Sequence, residues 1–195
     1  MNSRRTFLRH SATAAGAAFL GSIALASPDR SSPAAPLDFW AVSAGRRSVR
    51  KFKPDAVPEA DLTRILDAAR LAPTSGNQQP WKFLVIRERA KIDRMMEACV
   101  QRSLRFYDKR TDNTSTREET EKAVRERAGN YFSAPVYIVV LTDGQSQYPT
   151  YNHWDGPLGA GYLMLAARAL GYGTVFITDA IPDEVTKQVL QIPDR

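Results

Sequence analysis

Residues 135–142 read PVYIVVLT, a run of apolar and β-branched side chains at both parities. A strand that alternates apolar and polar residues covers one face only. A run that is apolar throughout has to be buried on both faces. This predicts a central strand with helices on either side, which restricts the chain to the α/β or α+β class.

The flanking pattern agrees. Leu37 to Gly45 reads as a short helix. Residues 58–71 read as a longer one, with Pro58 in the first turn, Glu59 and Asp61 at the positive end, and Leu62, Ile65, Leu66 and Ala69 on one stripe. A Pro- and Gly-broken loop, Ala72 to Pro80, leads into a strand over Lys82 to Arg87. A helix over 88–104 follows, with Ile92, Met95, Met96, Cys99 and Val100 apolar. The charged stretch 105–130 is helical in its second half and reads as a solvated face, or as a mobile cover over a site. Residues 155–170 form a helix that is apolar on nearly all sides, which asks for burial, in part against a second subunit. Gly171 and Gly173 end it. Thr174 to Thr178 is a further strand, and Pro182 to Leu190 a last helix.

The first 26 residues have a different character. Arg4 and Arg5 precede Phe7 and Leu8, an Ala-rich stretch runs from Ala12 to Leu25, and Ala24-Leu25-Ala26 supplies a small-residue cleavage site. Charged region, apolar region and cleavage site in that order predict a twin-arginine signal peptide over 1–26, with export to the periplasm. The apolar run is short and Ala-rich for a membrane span, and an uncleaved signal kept as a tether stands as the other reading. That route carries folded proteins, which suits a chain holding a cofactor made in the cytoplasm. Residues 27–36 (SPDRSSPAAP) read as a linker, and 37–195 as the folded domain.

Charge and composition exclude several functions. The net charge is +6, but Arg4, Arg5 and Arg9 lie in the leader, leaving 24 basic residues against 21 acidic ones, a balance of +3. No polybasic run supports nucleic-acid binding. The single cysteine, Cys99, rules out an internal disulfide, and it is read as a packing residue. Of two histidines, His10 is in the leader, so a nucleophilic triad or a His-based metal site could draw only on His153. Gly156, Gly159 and Gly161 lack the spacing of a dinucleotide loop, and neither a phosphate loop nor a G-x-S-x-G elbow occurs.

Two segments carry chemistry. Arg46-Arg47-Ser48-Val49-Arg50 sets three guanidinium groups and a hydroxyl close together. If the segment is extended, Arg46, Ser48 and Arg50 share a face. Guanidinium forks match a phosphomonoester, although this segment alone also reads as a solvated basic turn. The loop APTSGNQQPW (72–81) is dense in short donors and acceptors that suit the polar edge of a planar heterocycle. Alone it reads also as an ordinary capped loop.

Together, in this order and on either side of the 58–71 helix, the two motifs resemble the nitroreductase family of flavoproteins. The segment ALGYGT (169–174) and its strand match as well, so the likeness covers about residues 40–195. It extends to the iodotyrosine-deiodinase branch, which shares the RRSVR form. The resemblance implies an α+β fold, a mixed sheet flanked by helices, in an intertwined homodimer with FMN at the subunit interface. Arg46, Arg47, Ser48 and Arg50 match the segment that grips the phosphate, ribityl and pyrimidine end. Thr74, Ser75 and Asn77 match the loop that meets the flavin from the partner subunit, and Ile177 and Thr178 match the strand end near its reactive nitrogen. The implied chemistry is ping-pong hydride transfer from NAD(P)H to a nitroaromatic, a quinone or a similar small acceptor, with no protein acid or base required. Two alternatives stand beside it. One is a specialised branch (reductive dehalogenation, flavin fragmentation or oxidative tailoring). The other is a non-catalytic flavin-binding module, which the scarcity of NAD(P)H outside the cytoplasm favours. The family pattern also leads to the expectation of a further strand and a basic segment beyond Arg195.

Overall fold

The computed structural model describes residues 21–26, 38–178, 181 and 183–192. Residues 1–20 of the predicted leader, and all of the predicted linker, lie outside them.

The elements follow from local chemistry. Helix α1 (Phe39–Gly45) is capped by Asp38, whose carboxylate accepts the Ala41 N–H at 2.7 Å. Helix α2 (Glu59–Arg70) buries Leu62, Ile65 and Ala69, the stripe expected from the sequence. Strand β2 spans Trp81–Ile86. Helix α3 (Arg89–Lys109) runs five residues past its expected end. Leu104 still reaches the core, and the final carbonyls are met by Arg110 N–H and by the Asn113 amide. Helix α4 (Arg117–Tyr131) opens with a capping box between Thr116 and Glu119. Ala128 is its one fully buried residue among those described, so the charged stretch is mainly a solvated face. Arg125 clamps α4 to α3 through Glu97 at 2.8 Å, and its guanidinium holds the Glu97 carboxyl below the usual carboxylate range.

Strand β3 (Val136–Thr142) is buried on both faces, as its composition requires. Val136, Ile138 and Val140 pack with Leu62 and Ile65 of α2 and with Leu163 of helix α5 (Asn152–Ala169). Tyr137 and Val139 pack with Ile92, Met95 and Leu104 of α3. Each such aliphatic side chain contributes about 1.5–3 kcal/mol by leaving water. The Tyr137 hydroxyl donates to the Tyr131 carbonyl, and burial pushes the phenol well above its ordinary range. Helix α5 starts three residues before its expected start, at Asn152, ends at Ala169 and is closed off by Gly171, whose φ of 87° suits a residue without Cβ. Strand β4 (Gly173–Thr178) and helix α6 (Asp183–Leu190) complete the described chain.

The sheet order is β2-β3-β1-β4, and each neighbouring pair is antiparallel. Strand β1 is Gly21–Ala26, the end of the predicted leader, and it lies between β3 and β4 with Ile23 opposite Ile138 and Phe176. A parallel bridge joins Ser48 to Thr174 at the far side of β4. Helices α2 and α5 cover one face, α3, α4 and α6 the other, giving the α+β layering expected.

Helix α5 has two apolar sides. One is core, through Ala160, Leu163 and Ala167. The other leaves Trp154, Leu158 and Tyr162 exposed, and Phe39 and Trp40 of α1 are exposed too. Among the described residues no helix is long and apolar enough to cross a membrane.

Candidate functional site

The arginine segment leaves α1 at Arg46 with extended backbone, and its N–H still bonds the Val42 carbonyl. Val49 N–H then donates to the Thr174 carbonyl at 2.9 Å, laying the segment along β4. Two glycines make this approach fit. A Cβ on Gly173 would stand 2.8 Å from Val49 Cγ2, and one on Gly45 would stand 2.7 Å from Arg168 Nη2.

The side chains of the segment divide between two cavities, and Arg46 and Arg50, expected to share a face, part company, because Arg46 still closes the end of α1. Arg50 joins Ile177 and Thr178 at a cavity of about 320 Å³, with Cys99, Arg127 and Tyr131 opposite. Arg46 and Arg47 line a second cavity of about 290 Å³ with Lys51, Lys53 and Arg168. Ser48 sits between them on the bridge to Thr174.

The second cavity is strongly cationic. None of Arg46, Arg47, Arg50, Lys51, Lys53 or Arg168 takes part in an ion pair among the described residues, whereas Arg87, Arg89, Arg110, Arg117 and Arg125 all do. Arg168 Nε is buried with no hydrogen-bond partner. A buried donor without an acceptor is costly, and an anion bound in the cavity would relieve that cost. The donor set, three guanidinium groups and two ammonium groups, fits a phosphomonoester. Lys51 and Lys53 continue the alternation of Arg47 and were open to a reading from sequence. Arg168 reaches the cavity from α5, and nothing local marks it.

The other expected residues lie elsewhere in the same chain. Thr74, Ser75 and Asn77 line neither cavity. They form a turn against the start of α5, where Ser75 N–H donates to Asp155 Oδ1 at 3.0 Å. Neither Asp155 nor Gln78, which meet there at 2.7 Å, was singled out by sequence reasoning. His153 is exposed and packs on the Trp154 ring, 4.0 Å between centroids. Cys99 is half-buried at the rim of the first cavity rather than wholly in the core, and burial pushes its thiol above the ordinary value.

A model described as the nitroreductase family matches residues 44–195. The chain belongs to the nitroreductase family. Membership makes it a flavin-dependent oxidoreductase. This nitroreductase-family chain is 33% identical over 156 residues to a putative NADH dehydrogenase/NAD(P)H nitroreductase of Archaeoglobus fulgidus, covering 77% of this chain and 74% of the relative. It is 31% identical over 147 residues to an iodotyrosine deiodinase of Thermotoga neapolitana, covering 74% and 75%. Among solved structures it resembles an FMN-dependent nitroreductase from Clostridium difficile, with a TM-score of 0.55, 27% identity and 78% of each chain covered. An iodotyrosine deiodinase bound to FMN and 3-iodo-L-tyrosine shares the fold, with a TM-score of 0.64 at 24% identity over 80% of this chain and 82% of the other.

Proposed function

We propose that this nitroreductase-family protein binds FMN and passes hydride from NAD(P)H to a small acceptor such as a nitroaromatic or a quinone, in ping-pong order. Bound FMN supplies the redox chemistry at N5. The protein's own residues bind and orient it. Arg46, with Arg47 and Arg168, offers the cationic cleft for the phosphate, and Ser48 adds a hydroxyl beside it. Arg50 brings positive charge beside Ile177 and Thr178, which suits the electron-rich pyrimidine edge. The observation that carries this reading is the group of cations, without an ion-pair partner among the described residues, held along β4 by the Val49–Thr174 bond.

Two copies complete the site. The turn with Thr74 and Asn77 lines neither of the two cavities described, and α5 presents Trp154 (55% exposed), Leu158 and Tyr162 outward. A homodimer across that face covers apolar surface and brings one copy's turn to the other's flavin.

Export by the twin-arginine route to the periplasm belongs to the same proposal, supported by the Arg4-Arg5 leader. Cleavage after Ala26 would take β1 out of the sheet, so processing and folding are coupled. N-terminal sequencing of the exported protein shows whether that cleavage occurs.

Purified full-length protein is expected to be yellow and to lose its visible flavin absorbance on addition of NADH or NADPH, regaining it with a quinone. Colourless protein that takes up no added FMN contradicts the proposal. Reductive dehalogenation is the second reading, favoured by the deiodinase of Thermotoga neapolitana; iodide release from iodotyrosine separates it from simple acceptor reduction.

A further inference from the structure

Asp155, the fourth residue of α5, is only 1% exposed, and among the described residues no lysine or arginine pairs with it. Its donors are all neutral. Ser75 gives Oδ1 its backbone N–H at 3.0 Å and its hydroxyl at 3.4 Å, and Gln78 Nε2 donates to Oδ2 at 2.7 Å. The start of α5 adds the positive end of a helix. A carboxylate buried without a cation is retained only where such donors satisfy it, so the arrangement is exacting.

The carboxylate also fixes Gln78. Gln78 Oε1 accepts the Tyr148 N–H at 2.7 Å, while Nε2 faces Asp155, the Tyr148 carbonyl and Asn152 Oδ1. Turned over, the amide would set its nitrogen against the Tyr148 N–H and its oxygen against the carboxylate. Asp155 therefore selects one orientation of Gln78, and Gln78 ties the turn to the backbone of Tyr148.

What is held this way is a turn that does not favour itself. Gly76, Asn77 and Gln79 have φ of 58°, 55° and 47°, and two of these three carry side chains. Local bonds help, since Thr74 Oγ1 accepts the Gln79 N–H at 3.0 Å and Asn77 Oδ1 accepts from the Gln79 amide at 3.1 Å. Both bonds leave donors free: the Thr74 hydroxyl hydrogen and the Asn77 Nδ2 group. Ser75, in contrast, spends both its donors on Asp155.

We infer that Asp155 is a positioning residue that holds the Thr74–Asn77 turn in its flavin-facing shape through Ser75 and Gln78. This rests on the reading above that the turn meets FMN. It assigns the direct contacts to Thr74 and Asn77 and makes Ser75 an anchor behind them.

The test is FMN uptake by apoprotein, followed by flavin fluorescence and by the shape of the bound visible spectrum, with thermal melting of each apoprotein alongside. Asp155→Asn keeps the volume but sets an amide nitrogen against Gln78 Nε2. It should weaken FMN binding by about tenfold or more, the loss of a charge-assisted hydrogen bond, and alter the bound spectrum. If Asp155→Asn does not fold, Gln78→Ala removes the same link from a half-buried position and should show the same loss of affinity and the same spectral change. Wild-type affinity and spectrum in the foldable variant overturn the inference, as does a fall in affinity with an unchanged bound spectrum. Wild-type protein that takes up no FMN overturns the flavin reading and this inference with it. Normal uptake by wild type and variant alike overturns this inference alone.

Discussion

Val49 and Thr174 meet through one backbone hydrogen bond of 2.9 Å, and that bond sets which arginines reach which cavity. The contact is close because Gly173 has no side chain: an added Cβ would lie 2.8 Å from Val49 Cγ2 and 3.0 Å from Val49 Cβ. Gly173→Ala should therefore push the arginine segment off β4. The expected cost is about 1–3 kcal/mol of stability, typical of overpacking, together with weaker FMN binding. Val49→Ala in the same chain removes the two methyls but keeps the Cβ at 3.0 Å, and should restore part of both. Urea midpoints and FMN titrations of the three variants check it.

Core packing on α5 gives a second expectation. Leu163 is fully buried between α2 and β3, on the helix that also carries Asp155 and Arg168. Leu163→Ala should lower stability by about 2–5 kcal/mol, transfer and cavity terms combined. Equilibrium unfolding in urea measures it, and a loss under about 1 kcal/mol would mean that the site collapses around the smaller residue.

Cys99 carries a pH expectation. Burial raises its thiol above the ordinary value of 9.0, against the opposing pull of Arg102 and Arg127. The folded state thus holds the proton to higher pH than the unfolded chain does. Stability from the neutral thiol is complete below the unfolded value and declines as pH rises past it toward the folded value. Wild type should lose stability faster than Cys99→Ala above about pH 9. Alkylation of Cys99 at neutral pH should be slower than that of a free thiol, and parallel stability curves for the two proteins would contradict the assignment.

Strand β1 ties the leader to the sheet. Without Gly21–Ala26, the facing edges of β3 and β4 lose their hydrogen-bond partners. A chain beginning at Ser27 should melt at lower temperature than the full chain, or aggregate. Calorimetry and light scattering on both forms check this, and identical melting would show that β1 contributes nothing to the sheet.

Much of this architecture was open to reading because its signals are local. The apolar run of β3, the stripe of α2 and the Gly-terminated α5 each state their own burial. Thr116 and Glu119 would have fixed the start of α4 as well, since a capping box is a four-residue pattern. The site was less legible. Arg46, Arg47 and Arg50 stood out as a cluster, but their division between two cavities depends on a bond to Thr174, far along the chain. Arg168 and Asp155 had no sequence signal, because what marks them is the burial and partners that tertiary packing supplies. The entry of Gly21–Ala26 into the sheet was equally invisible, since an Ala-rich apolar stretch before a small-residue site reads as a leader by composition.

The central claim is that the cations along β4 hold the phosphorylated tail and pyrimidine edge of FMN. Titration of FMN into apoprotein tests it most directly, with wild type, Arg46→Ala and Arg50→Ala measured at low and high salt. Each variant should bind about ten- to a hundredfold more weakly, as expected for loss of a charge-assisted hydrogen bond. Added salt should weaken wild type more than Arg46→Ala. Equal affinity in all three proteins, or no uptake of FMN by wild type, would contradict the account.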